Sequence, residues 1–147
     1  MLNYLKQYYL NQQFYPTFIG LFINPFYIAR KGLVNEIASL SMHISGRVLD
    51  VGCGNKPYEK LFNSDQYIGL EIDTPENRRS KKADMFYNGM HIPAENKYFD
   101  GVVAFQVFEH VFNPEDFLIE LRRVLKQGGK FLMTIPFVWD EHEQPHD

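Results

Sequence analysis

An α/β fold built on a parallel sheet is predicted, and three observations predict it. First, the apolar run Arg47-Val-Leu-Asp-Val51 passes straight into the turn Gly52-Cys-Gly54, the way a strand delivers the chain to the carboxyl edge of such a sheet. Second, from residue 47 onward short apolar runs alternate with helix-like segments, a pattern that calls for parallel strands covered by helices on both faces. Third, the chain of 147 residues is 45% hydrophobic and 22% charged, enough apolar material for a single-core globular domain rather than a disordered segment.

Strand one is expected over 47–51, and a short helix over 57–62 with Pro57 suited to its first turn. Strand two follows over 66–71. Thr74-Pro-Glu-Asn77 then opens a polar loop that carries the basic run Arg78-Arg-Ser-Lys-Lys82. That run reads as solvated, with the alternative that it attracts an anionic acceptor. Strands three and four are expected over 83–86 and 101–106. The next helix is strongly marked. Asn113 can cap it, Pro114 takes its first position, and Glu115 and Asp116 suit its positive end. Phe117, Leu118, Leu121, Val124 and Leu125 form one apolar stripe. Arg122, Arg123 and Lys126 fall in the last turn before Gly128-Gly129. Strand five is expected over 130–135.

Residues 1–46 differ in character. Nine aromatics lie in the first 27 positions, and Glu36 is the only acid before Asp50. The expected order is a helix, a break at Asn24-Pro25 and a second helix over 25–42. This aromatic arm is expected to pack on the sheet and cover the ligand cleft of the 47–147 domain. A membrane-surface role would require more accompanying basic residues than it has. The most apolar run, 17–29, is interrupted by Gly20, Asn24 and Pro25 and is too short to span a bilayer. No signal-like start is evident, and the lone Cys53 excludes an internal disulfide framework, so a cytoplasmic location is expected. A net charge of −3 argues against general nucleic-acid binding.

The turn after strand one indicates the kind of ligand. A dinucleotide fingerprint needs a third glycine where Pro57 stands. Asp50, two residues before the first glycine, would repel a pyrophosphate but suits a ligand with a positive amino group. A nicotinamide-dependent oxidoreductase is disfavoured on both counts. Glu71, at the end of strand two, can accept hydrogen bonds from both hydroxyls of a ribose, with Asp73 as its rival. Cys53 reads as a small packing residue, since no base stands near it in the sequence to make a thiolate.

Four segments occur in order: Val48-Leu-Asp-Val-Gly-Cys-Gly54, Tyr67-Ile-Gly-Leu-Glu71, Phe99-Asp-Gly-Val-Val-Ala-Phe-Gln-Val-Phe-Glu-His110 and Leu121-Arg-Arg-Val-Leu-Lys-Gln-Gly-Gly-Lys130. Together they resemble class I S-adenosylmethionine-dependent methyltransferases of the type 11 group, over about residues 32–147. The resemblance implies a Rossmann-like sheet, here of five strands and lacking the final two of the full fold, so that the chain is expected to be truncated. It also implies S-adenosylmethionine as cofactor and S-adenosylhomocysteine as product. Asp50 and the turn Gly52, Cys53 and Gly54 would hold the methionine part. Glu71, beside Ile72, would hold the ribose. Asp84 and Met85 would lie at the adenine, and Gln106 at the sulfonium end. The methyl acceptor would be a small molecule, a glycan or a lipid-linked compound, with transfer to oxygen or nitrogen. The rival is a catalytically incompetent cofactor-binding or interaction module.

Two histidines are candidates on the acceptor side. His142-Glu-Gln-Pro-His146 matches a zinc-protease pattern, but Pro145 opposes the helix that pattern needs, and no metal site is expected. By the resemblance, His142 becomes an acceptor contact or general base, with a plain loop histidine as the alternative. The Glu109-His110 pair reads first as structural, although His110 could take a proton from an acceptor. With strand five at the sheet's edge, pairing with a second copy is expected there.

Overall fold

Strand β1 (Ser45–Val51) is the axis of the molecule. Val48, Leu49 and Val51 are wholly buried, because a central parallel strand is covered on both faces and each successive side chain enters the opposite one. The computed structural model describes residues 12, 14–18 and 20–136. Among the described residues, helices α1 (Gly20–Ile23) and α2 (Tyr27–Ser41) precede β1. After it come β2 (Asn63–Ile72), α3 (Pro75–Ser80), β3 (Met85–Tyr87), β4 (Phe99–Phe105), α4 (Pro114–Val124) and β5 (Leu125–Thr134). The five strands lie in the order β3-β2-β1-β4-β5 and every neighbouring pair is parallel.

Two apolar clusters flank the sheet. Leu49 and Val51 of β1 join Phe99, Val102 and Ala104 of β4 beneath Phe117, Leu121 and Val124 of α4. Val48 and Val103 face the other way, toward Ile37 of α2, Ile44, Tyr58 and Phe62. The described part of the arm docks on this second face. The Phe14 and Tyr15 rings stand edge-on to Tyr58, with centroids 6.2 and 6.1 Å away, and Tyr58 in turn meets Phe105 at 5.0 Å. The Tyr15 hydroxyl donates to the Pro57 carbonyl at 2.6 Å. The helix expected at the very start of the chain falls largely outside the described residues.

Four expectations are corrected. The segment after Thr74 is a helix, α3, and not a loop. Thr74 caps it by accepting the Asn77 N–H at 3.1 Å, Pro75 occupies its first turn, and Lys81 ends it in the left-handed region. The segment at 57–62 holds only a single 3-10 turn, Glu59–Leu61. Asn113 does not cap α4 with its side chain; its amide donates to the Asp116 carboxylate instead. Finally, Gly128-Gly129 does not end α4. The helix stops at Val124, and the strand has already begun at Leu125. Lys97 and Tyr98 donate backbone N–H bonds to Arg123 and Val124, both at 2.8 Å, and Lys126 pairs with Asp100 at 2.6 Å. These contacts draw the chain onto β4, and the glycines sit in a register shift of β5, with Gly128 at φ +78°.

The outer edge of β5 has no strand partner among the described residues, and Phe131 and Ile135 are partly exposed there. Among the same residues no helix is long and apolar enough to cross a membrane.

Candidate cofactor site

β1 delivers Asp50 to the face that α2 covers, where the residue is 2% exposed and its carboxyl accepts a hydrogen bond from the Tyr67 hydroxyl at 2.9 Å. Burial pushes this carboxyl up to about 7, and nearby Glu71 adds to the effect; the Tyr67 bond and the Lys56 ammonium act in the opposite sense.

The chain then turns sharply. Gly52 and Gly54 have φ of +69° and +49°, which glycine alone adopts freely. The Leu70 carbonyl of β2 accepts the N–H groups of both Gly52, at 2.9 Å, and Cys53, at 3.2 Å. A Cβ on Gly52 would stand 2.5 Å from Val107, whereas one on Gly54 would meet nothing within 4 Å. The turn is therefore packed against the β4 end on one side and open on the other. The Gly54 N–H donates to Glu71 Oε1 at 2.7 Å, and Glu71 Oε2 accepts from the Asn77 amide at 3.3 Å. Asp73, the rival acid, is held in a two-pronged ion pair by Arg78, whose guanidinium also stacks on Phe86. The basic run is thus not simply solvated, and Lys82 likewise bonds the Asn55 side chain in the turn.

Asp84 lies just before β3. Its carboxylate bonds both use Oδ2, which accepts the Gly69 N–H at 2.7 Å and the Lys56 ammonium. Partial burial raises its carboxyl, but those two bonds outweigh burial and hold it below the ordinary value. Met85 begins β3 and packs against the core, and Ile72 is partly exposed at the end of β2. Cys53 is buried, and burial pushes its thiol up to about 12, so it stays protonated and unreactive.

The carboxyl end of β4 adjoins this turn through Val107. Gln106 has φ +56°, and it bonds Thr134 of β5 through its N–H at 3.0 Å and through its side-chain amide at 3.2 Å. His110 closes a 3-10 turn, Phe108–His110, in which Glu109 Oε2 is buried without a hydrogen-bond partner among the described residues. His142 lies outside the described residues. Among those described, no group of three or more His, Cys, Asp or Glu could hold a metal ion.

The structure therefore gathers Asp50, the 52–54 turn, Glu71 and Asp84 around the ends of β1 and β2, with Gln106 and His110 at the end of β4. The sequence reading passed over Lys56. The one sequence signal for it was Gly69 in the middle of an otherwise side-chain-rich strand: a Cβ there would stand 2.5 Å from Lys56 Cε and 2.6 Å from Cys53 Sγ.

Residues 49–133 match the family described as the methyltransferase domain. The chain belongs to that family. Over 128 residues it is 30% identical to a probable S-adenosylmethionine-dependent methyltransferase of Mycolicibacterium smegmatis, the match covering 82% of this chain and 49% of that one. Over 105 residues it is 32% identical to the protein MJ1123 of Methanocaldococcus jannaschii, covering 69% of this chain and 50% of that one. The PH0226 protein of Pyrococcus horikoshii has the same fold, with a TM-score of 0.55 and 26% identity over 78% of this chain and 57% of that one. The chain thus spans about half the length of these curated relatives.

The family's cofactor is S-adenosylmethionine, and the residues present suit it. A phosphate cradle needs free backbone N–H groups at its glycine turn. Here the N–H groups of Gly52, Cys53 and Gly54 are engaged by Leu70 and Glu71, and Asp50, Glu71 and Asp84 stand around the turn with the Lys56 ammonium paired to Asp84, an acid-rich setting that suits a ligand cationic at sulfur and at its amino group.

The Asp50 carboxyl makes stability depend on pH. Between about pH 4 and pH 7 it is protonated in the folded protein and ionised in the unfolded chain, so stability falls as pH rises through that window. Asp50→Asn, which mimics the protonated form, removes this slope. In urea titrations without ligand it is expected to be more stable than wild type by about 3 kcal/mol at pH 8 and nearly equal at pH 4.5. Parallel pH dependences for the two proteins would contradict this.

Proposed function

We propose that this chain forms the cofactor-binding part of an S-adenosylmethionine-dependent methyltransferase. The reaction moves a methyl group to an oxygen or nitrogen nucleophile of a small-molecule, glycan or lipid-linked acceptor, in the cytoplasm. The observation that carries the reading is the carboxylate-lined niche whose glycine-turn N–H groups are already engaged.

In this reading Asp50 and the turn Gly52-Cys53-Gly54 receive the methionine part of the cofactor, and the ammonium of that part draws the Asp50 carboxyl into its ionised form. Glu71 keeps lone pairs for the two ribose hydroxyls beside its bonds to Gly54 and Asn77. Ile72 and Met85 flank the adenine, and Asp84 Oδ1, which makes no hydrogen bond among the described residues, accepts from its amino group. Gln106, fixed by Thr134, faces the sulfonium end. When bound, the cofactor supplies an electrophilic methyl group. The protein contributes mainly orientation, since holding the acceptor in line accounts for most of what such a transfer needs. An imidazole, His110 or His142, takes the acceptor's proton where the acceptor must lose one. The aromatic arm, anchored through Tyr15 to Pro57 just beyond the turn, covers the cleft. The edge of β5, which has no strand partner among the described residues, receives a second copy of the chain.

Isothermal titration with S-adenosylhomocysteine is expected to show binding that Glu71→Ala weakens at least about tenfold, the scale of a lost hydrogen bond to a charged group. Unchanged affinity would remove Glu71 from the site. Transfer of a radiolabelled methyl group from the cofactor to a metabolite or lipid extract separates an enzyme from a cofactor-binding module: label in an extracted product supports the enzyme, and binding without transfer supports the module. In analytical ultracentrifugation a concentration-dependent dimer is expected, and a monomer at all concentrations would exclude the β5 pairing.

A further inference from the structure

The Lys56 ammonium stands inside the acidic niche. Lys56 adopts φ +50°, a left-handed conformation that a residue with a side chain takes up only at a cost. From there its stem passes over Gly69, the one glycine of β2, where a Cβ would stand 2.5 Å from Lys56 Cε. Its ammonium ends on Asp84 Oδ2, and the side chain is only 14% exposed. Lys56 thereby ties the glycine turn after β1 to the start of β3, across the strand that carries Glu71. It is also the charge that opposes the local acids: its ammonium offsets Glu71 and Glu59 at Asp50, and Asp50, Glu71 and Asp84 at Cys53.

We propose that Lys56 is a positioning and selectivity residue of the cofactor niche: it fixes the glycine turn over β2, and its charge sets how tightly the sulfonium cofactor is held relative to the product, whose sulfur is uncharged. The proposal rests on the reading of this niche as the S-adenosylmethionine site. Cofactor and product share their adenosine and amino-acid parts and differ by one methyl group and one positive charge. Every contact to the shared parts cancels in the ratio of their affinities, whereas a fixed charge in the niche does not. Removing the Lys56 ammonium leaves the niche more negative, which favours the sulfonium form. Removing the Asp84 charge has the opposite effect.

Isothermal titration of wild type, Lys56→Met, Lys56→Arg and Asp84→Asn with S-adenosylmethionine and with S-adenosylhomocysteine tests this, with circular dichroism to confirm folding. In Lys56→Met the ratio of product to cofactor dissociation constants is expected to rise about three- to tenfold, the scale of one unit charge acting across a partly solvated niche. Lys56→Arg keeps the charge and is expected to leave the ratio within about twofold of wild type. Asp84→Asn is expected to lower the ratio about threefold; it decides the matter by itself if Lys56→Met does not fold. Equal weakening of both ligands by Lys56→Met, or an unmoved ratio in Asp84→Asn, would reduce Lys56 to a structural strut and overturn the proposal. Failure of the underlying reading looks different: wild type itself would bind neither ligand, and the proposal would fall with it.

Discussion

A single carbonyl decides where the chain turns after β1. Leu70 O of β2 accepts two N–H groups in succession, from Gly52 and Cys53. Much of the site's character follows from it. The turn folds back over β2, so Gly54 comes within hydrogen-bonding reach of Glu71, and Lys56 reaches Asp84 on the far side of the strand. The absence of a side chain at Gly52 lets Val107 close in from the end of β4. Three strand ends are thereby brought together, at the edge where ligands of open α/β sheets bind. The same two bonds remove the backbone donors that a diphosphate would need. One hydrogen-bonding choice therefore both shapes the turn and occupies two of its backbone donors.

The charges follow from that geometry. A carboxyl buried as deeply as Asp50 is costly to ionise unless a cation compensates it. The Tyr67 bond and the Lys56 ammonium compensate only in part, and the carboxyl stays near neutrality at about 7. In the function proposed above, a ligand ammonium beside it would supply the missing compensation and favour the ionised carboxylate. Asp84 differs from it: the Lys56 ammonium and the Gly69 N–H hold its carboxyl below the ordinary value, while Glu71 accepts the Gly54 N–H. At the end of β4, the buried Glu109 Oε2 lacks a partner among the described residues and adds further acceptor capacity beside the cleft.

The sheet and its cradle were legible because their signals are local. An apolar run buried on both faces needs no alternation, and Val48-Leu-Asp-Val51 followed by two glycines reads as a central strand ending in a close-approach turn. Asp50 was legible for the same reason, a lone acid in an apolar strand. Glu71 lies within β2 and accepts the Gly54 N–H, whereas Asp73, just past the strand, pairs with Arg78. What escaped was non-local or too small. Helix α3 buries no residue, so it leaves no apolar period; only its Thr74-Pro75 start gave a signal, and that start resembles a turn. The onset of β5 was hidden because Gly128-Gly129 imitates a helix stop, while the contacts that draw Leu125 onto β4 come from residues 97–100. Lys56 joins Asp84 across 28 positions, a separation at which no sequence spacing indicates contact.

The most direct test is a crystal structure of the protein with S-adenosylhomocysteine. The account predicts the amino-acid part against the 52–54 turn beside Asp50, both ribose hydroxyls on Glu71, and the adenine between Ile72 and Met85. Adenosine seated anywhere else, or ribose hydroxyls pointing away from Glu71, would contradict it.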